Sequence, residues 1–252
     1  MKFYLGTHMP SWLNKPELES VPLFISHRRL KRYRKFRPAL TSWALDSGGF
    51  TELSMYGEWR TRPSEYVKAI RRYQDEIGRL EWASPQDWMC EPYILQKTGR
   101  DVVWHQYATI NNLLELRFQA PGLPIIPVLQ GWTRDDYLRH VDYYAKCHID
   151  LEAEPLVGLG SVCRRQHTEE AADITASLQP LKIHAFGAKG DAIAKYGQLM
   201  SSCDSMAWSY AGRNRPDPTC HKKTCSNCLH YALAWREAAL NPRTPTLLGG
   251  IQ

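Results

Sequence analysis

Eight short apolar runs punctuate the chain, and a turn followed by a helix-like stretch separates most of them. The runs occupy residues 3–5, 22–26, 42–46, 81–87, 125–130, 156–161, 182–187 and 203–210. Leucine, tyrosine and alanine recur at spacings of three and four over 62–75, 103–118, 133–146, 168–178, 191–200 and 227–240, the period of a helix with one buried face. Thr61 and Pro63 mark the entry to the first of these helices. Alternating strands and helices pack as a parallel sheet covered by helices. Eight strands within about 210 residues favour a closed (β/α)8 TIM barrel. An open doubly wound sheet is the alternative, because the first run is short and the link from the second to the third is irregular. No Pro/Gly/Ser linker divides the chain, so residues 1–252 read as one domain. Residues 213–240 form a Cys-rich loop and a last helix appended to it.

The apolar fraction of 43% is enough to build a core and excludes wholesale disorder. The longest clean apolar stretch, 123–129, is broken by prolines and is far too short to span a bilayer. The first residues lack the apolar stretch and cleavage site of a signal peptide. A soluble cytoplasmic protein with no membrane partner is the expectation. The net charge is +6, and its excess is local: Arg28, Arg29, Lys31, Arg32, Arg34, Lys35 and Arg37 stand together without an acid. Such a patch suits a polyanion, with Arg28, Arg29, Arg32 and Arg34 as the candidate nucleic-acid contacts. A solvated basic loop is the plainer reading.

Seven cysteines are present, four scattered and three, Cys220, Cys225 and Cys228, within nine residues. An odd count with one tight cluster points to a reducing compartment and a metal site, not to a disulfide framework. C-x4-C-x2-C supplies three thiolates, which suit tetrahedral structural zinc. Ser226 reads as an N-cap, which would start a helix near 227 and turn His230 away from Cys228. That favours His221 as the fourth ligand over His230.

In a barrel of this type the active site lies at the C-terminal ends of the strands. The polar residues there are Thr7 and His8, Ser26 and His27, Asp46 and Ser47, Gln86 and Asp87, Gln130, Ser161, and the run from Cys203 to Ser209. Taken singly, each is most often a turn residue or cap. Their convergence on one face is the signal.

Several of these strand ends form an ordered set of motifs: Asp46-Ser47-Gly48-Gly49-Phe50, then Asp87 through Cys90-Glu91, then Val128-Leu129-Gln130-Gly131, then Gly158-Leu159-Gly160-Ser161, then Asp204 through Arg213, then the cysteine cluster. This set resembles the tRNA-guanine transglycosylase superfamily, over roughly three quarters of the chain. DSGGF is the most specific element. The chain is short for a tRNA enzyme, DSMAWSYAGR stands where that family has DCVxPTRxxR, and the usual downstream zinc histidine has no counterpart. Those departures resemble the DNA-modifying branch, the 7-deazaguanine DNA transglycosylases of phages and bacterial modification clusters.

The resemblance implies that a guanine in DNA is exchanged for a 7-deazaguanine such as 7-cyano-7-deazaguanine. By motif position, Asp204 is the expected nucleophile and Asp46 the general acid/base. Asp87 would read the guanine edge, assisted by Ser47, Gln130, Gly131, Gly158 and Gly160. DNA and the two bases are the expected partners, and a homodimer or partner subunit stays open. The competing readings are a tRNA transglycosylase, a hydrolytic N-glycosidase of the same fold, and a zinc-dependent nucleic-acid-binding protein without catalysis.

Overall fold

The computed structural model describes residues 1–162, 169–188, 190–220 and 223–241. Eight parallel strands are present: β1 (Lys2–Thr7), β2 (Leu23–Ser26), β3 (Trp43–Asp46), β4 (Leu80–Ala83), β5 (Val128–Leu129), β6 (Val157–Leu159), β7 (Ile183–Ala185) and β8 (Ser202–Ser205). They run in the order β4-β3-β2-β1-β8-β7-β6-β5. The two ends of that order meet through a parallel bridge between Ala83 and Ile125. There the Ala83 N–H donates to Pro124 at 2.9 Å and the Ile126 N–H donates to Ala83 at 3.1 Å. The sheet is thus curled on itself into a TIM-like barrel, as the alternation implied, and its closure is the narrowest part.

Ten α-helices are present among the described residues: α1 (His27–Leu30), α2 (Gly49–Tyr56), α3 (Pro63–Glu76), α4 (Pro92–Thr98), α5 (Val102–Gln119), α6 (Arg134–Lys146), α7 (Glu169–Ser177), α8 (Gly190–Tyr196), α9 (Ala207–Asn214) and α10 (Leu229–Leu240). Local chemistry sets their starts. Asp101 caps α5 by accepting from the Trp104 N–H at 2.8 Å, and Thr133 and Asp136 cap α6 reciprocally. Pro63 opens α3, but Arg62 and not Thr61 is its N-cap, and the Arg62 N–H is taken by Glu65. The main core lies between the sheet and the helices that cover it, with Leu5, Ile25, Leu45, Leu129, Leu159 and Ile183 facing outward into it.

Three expectations need correction. The run 203–210 is not one strand: β8 ends at Ser205, and α9 begins two residues later. The apolar residues Ala207, Trp208 and Ala211 are spaced for a helix face, and Trp208 is buried against Trp12. Helices α2 and α4 each fill a segment read only as a strand end and its turn. The last helix begins at Leu229 with Cys228 as its N-cap, not near 227.

Strand period two then fixes what enters the barrel. Paired strands share facing, so the register Phe24↔Ala44↔Trp82 and Gly158↔His184↔Ser202 defines one inward layer. Tyr4, Phe24, Trp82, His184 and Phe186 pack there ring against ring. The next inward residues toward the C-terminal ends include Asp46, Gln130, Gly160 and Asp204, two positions beyond Ala44, Val128, Gly158 and Ser202.

Candidate active site

A cavity of about 210 Å³ opens above the aromatic layer. Asp46, Asp87, Glu91, Gln130, Gly160, Ser161 and Asp204 line it, with Phe24, Phe50, Met89 and Phe186 as apolar wall. Asp46 ends β3, and Asp204 is the penultimate residue of β8. Asp204 therefore sits at the C-terminal end of its strand because that strand is short.

Each acid has its own surroundings. Asp204 is buried, and its Oδ1 accepts from the Gly187 N–H at 2.9 Å and lies 3.4 Å from His184 Nε2. Burial raises the Asp46 carboxyl above the ordinary carboxylate range; hydrogen bonds from Ser26 and the Gly48 N–H oppose this, and the Asp204 charge adds to it. Asp87 is pushed up to about 7, first by burial and then by the Asp46 charge. Its Oδ2 accepts from Gln130 Nε2 at 2.5 Å. Gln130 is held on every side. Its N–H donates to His140 Nδ1, its carbonyl accepts from Gln106, and its side-chain oxygen accepts from the Ser161 hydroxyl at 2.6 Å.

The glycines divide by position. A Cβ on Gly160 would lie 2.2 Å from Gln130 Nε2, so Gly160 makes room for that amide in the cavity floor. Gly158 lies one layer deeper, where a Cβ would meet Phe186 at 2.6 Å. Gly131 packs under α6, against Asp136. Ser47 is buried behind Asp46, and its N–H donates to Ser84 Oγ at 2.8 Å. Gly131, Gly158 and Ser47 are not part of the cavity lining.

A second cavity, about 330 Å³, adjoins the first and shares Phe24, Asp46, Phe50 and Asp204 with it. Thr7, His8, Ser26, Arg28, Arg29 and Arg32 complete much of its wall. Three of the four arginines singled out in the sequence thus border the two acids. Arg34 does not; its carbonyl accepts from Arg72. Arg28 lies along the turn after β3, where Gly48 has φ +86° and a Cβ would meet Arg28 Cγ at 2.8 Å.

A larger cavity, about 740 Å³, opens at the N-terminal end of the barrel. Its acids are engaged: Glu81 pairs with Lys2 and Tyr4, and Glu154 forms a two-pronged pair with Arg117. The smaller cavities at the other end hold the convergent acids and arginines, which makes them the candidate site.

The Sγ atoms of Cys220, Cys225 and Cys228 lie within 4.8 Å of one another, so one metal ion could be held by all three. The Asp217 N–H donates to Cys225 Sγ at 3.4 Å, a contact that suits a thiolate. The donor set and its spacing fit a structural metal. His221 lies outside the described residues, and His230 stands in the first turn of α10. Because Cys228 precedes that helix, helical geometry does not turn His230 away from it, and His230 stays open as a fourth ligand beside His221.

The family model of DpdA, "DeoxyPurine in DNA protein A", matches residues 1–246. The chain belongs to the DpdA family. This is the DNA branch of the transglycosylase superfamily to which the motifs pointed. No curated protein matches the chain. Among the described residues no helix is long and apolar enough to cross a membrane.

Two buried polar groups at the candidate site had no role in the sequence reading: Glu91, present in the motif set and lining the first cavity, and His184, directly behind Asp204. Glu91 precedes the Pro92 that opens α4, and its Oε2 lies 3.0 Å from Ser161 Oγ. His184 is a lone histidine inside an apolar strand, a pattern usually left to the core. Its place two residues before Phe186, on the inward face of β7, was the available signal.

Proposed function

We propose that this DpdA-family chain exchanges guanine in DNA for a 7-deazaguanine through a covalent sugar–enzyme intermediate. One observation carries the reading: Asp46 and Asp204 border both the small cavity that ends in Asp87 and the arginine-lined cavity beside it. A nucleotide turned out of its strand would place its base in the first, its phosphates near the second, and its C1′ between the two acids.

In this mechanism an Asp204 carboxylate oxygen attacks C1′ as the C1′–N9 bond breaks. The bonding pair leaves with the guanine, which takes a proton from the Asp46 carboxyl. The ester to Asp204 keeps the strand whole. The incoming 7-deazaguanine gives its N9 proton to Asp46, N9 attacks C1′, and Asp204 leaves as the carboxylate. Protons and charges balance over the cycle.

Guanine presents N1–H and the 2-amino group together, and an ionised Asp87 accepts both. Those two donors favour the ionised form of Asp87, while burial and the Asp204 charge favour the protonated form of Asp46, the group that needs the proton. Zinc on Cys220, Cys225 and Cys228 would tie the loop after α9 to α10.

The test is incubation with labelled guanine and separate DNA and tRNA substrates. Label in DNA alone is the expected result. Label in tRNA assigns the tRNA activity instead, and release of base without incorporation assigns hydrolysis. Asp204→Ala is expected to abolish both exchange and the adduct trapped in the absence of incoming base. An adduct that survives this change moves the nucleophile elsewhere.

A further inference from the structure

Asp204 is not held by backbone alone. His184, on the neighbouring strand β7, is completely buried inside the barrel. Its Nε2 lies 3.4 Å from Asp204 Oδ1, and its Nδ1 lies 2.8 Å from Ser202 Oγ. The parallel register pairs His184 with Ser202, two residues before Asp204 on the same face of β8. Four rings enclose the imidazole: Tyr4, Phe24, Trp82 and Phe186, with centroids 4.5–5.8 Å from its own.

These partners decide the tautomer. A carboxylate accepts and cannot donate, so the nitrogen facing Asp204 carries the hydrogen. The other nitrogen then accepts from the Ser202 hydroxyl. The aromatic enclosure disfavours a charged ring, and burial lowers the His184 pKa. A neutral imidazole gives one directed N–H without forming an ion pair that would quench the carboxylate. That N–H and the Gly187 N–H both fall on Oδ1; among the described residues none donates to Oδ2, whose lone pairs serve for attack.

We infer that His184 is a positioning residue for the reaction: its neutral Nε2–H, fixed from behind by Ser202, orients Asp204 so that Oδ2 meets the sugar. The inference rests on Asp204 being the nucleophile.

Two variants separate positioning from packing. His184→Phe keeps an aromatic ring in the aromatic enclosure and removes the donor. His184→Gln loses the ring but can bring an amide N–H close to the place of Nε2. The rate of adduct formation in a single turnover on a guanine-containing single strand is the readout, with DNA affinity and thermal midpoint measured alongside. Groups that orient metal ligands from behind contribute about ten- to hundredfold, and the same order is expected for a donor that orients a carboxylate. His184→Phe is expected to slow the adduct by about that factor with DNA affinity unchanged, and His184→Gln to recover most of it. A merely structural role gives the opposite order, because phenylalanine preserves the packing better. His184→Phe at the wild-type rate, or His184→Gln slower than His184→Phe, overturns the inference.

If His184→Phe does not fold, the wild-type imidazole still reports. Its ¹⁵N resonances, assigned by their loss in His184→Gln, should show hydrogen on Nε2; hydrogen on Nδ1 overturns the inference. Asp204→Ala run in parallel identifies the source of a failure. A variant that still forms adduct rejects the nucleophile, and the role of His184 with it. An inactive Asp204→Ala beside a fully active His184→Phe rejects His184 alone.

Discussion

Gln130 Nε2 donates to Asp87 Oδ2 at 2.5 Å while the oxygen of the same amide accepts from Ser161 at 2.6 Å. An ionised carboxylate only accepts, so Asp87 draws the NH2 end of the amide toward itself, and Ser161 holds the oxygen end. Asp87 therefore meets the Gln130 donor on Oδ2 and its own backbone N–H as well, and borders the cavity where a ligand can reach its remaining lone pairs. A site that presents a buried, oriented carboxylate rejects a purine edge without matching hydrogens, because the group would be left unpaired.

Asp87 makes base binding depend on pH. With its carboxyl raised to about 7 in the free protein, the ionised acceptor becomes scarce below that value. The affinity for free guanine is expected to be level above pH 7 and to fall about tenfold per unit below it, by proton linkage. Calorimetric titration between pH 5.5 and 8.5 measures this. Affinity that does not change with pH would show that the base is read by other groups.

The same acid costs the fold stability at neutral pH. A group whose folded pKa is raised stabilises fully below its unfolded pKa, and that contribution is lost as pH rises through the folded value. For Asp87 the loss runs from the ordinary carboxylate range to about pH 7. Asp87→Asn cannot ionise, so its Tm relative to the wild type should climb across that interval and then level. Exchange by Asp87→Asn should be most depressed, relative to the wild type, at and above pH 7, where the wild-type carboxylate is ionised. A Tm difference that is flat from pH 4 to 8 contradicts the assignment.

Gly160 tests the geometry of the floor. A Cβ at this position lies 2.2 Å from Gln130 Nε2, and that amide has no free direction of retreat, since it is tied to both Asp87 and Ser161. Gly160→Ala should weaken guanine binding by about tenfold or more, as expected when a buried polar network is broken. DNA affinity should stay within about twofold, because phosphate contacts dominate it. Wild-type guanine binding in Gly160→Ala would place the base away from Gln130.

The arginines should not act alike. Arg29 and Arg32 line the cavity beside the acids, whereas Arg34 stands apart from it. Replacing Arg29 and Arg32 by alanine should lower the salt dependence of duplex DNA binding by about 0.9 for each phosphate that is no longer neutralised. Arg34→Ala should change it less. Arg28 has a second role: burial raises the Asp46 carboxyl, and the Arg28 charge opposes that rise in small part. Arg28→Ala should therefore shift the limb of the pH–rate profile set by Asp46 upward. Salt slopes measured by anisotropy that are equal for all four variants would mark the run as a solvated face.

The cysteine cluster should behave as part of the fold. One zinc per chain is expected by elemental analysis, and Cys225→Ser should lower the yield of folded protein more than the turnover of what folds. Cys225 is buried beneath α9, where Gly212 leaves room for its carbonyl. Folded, fully active Cys225→Ser protein without metal would show the three thiols to be ordinary core residues.

The sequence by itself determined the periodic part of the protein. Eight apolar runs separated by helical spacings specify parallel strands under helices, because burying one face of each element admits few other arrangements. Local spacing likewise gathered Cys220, Cys225 and Cys228, since so short a stretch of chain cannot carry them far apart. Asp46, Asp87 and Asp204 were legible through their motifs. What only the tertiary structure decided was pairing across strands. Nothing in the local pattern around His184 says that it faces Ser202 and Asp204, nor that Gln130 is clamped between Asp87 and Ser161. Those contacts follow from the register of adjacent strands and from which parity of residue points into the barrel. The end of β8 was misjudged for the same reason: Ser205 closes the strand and Ala207 opens a helix because Trp208 finds its place against Trp12 and the Gly6 carbonyl, about two hundred residues away in the chain.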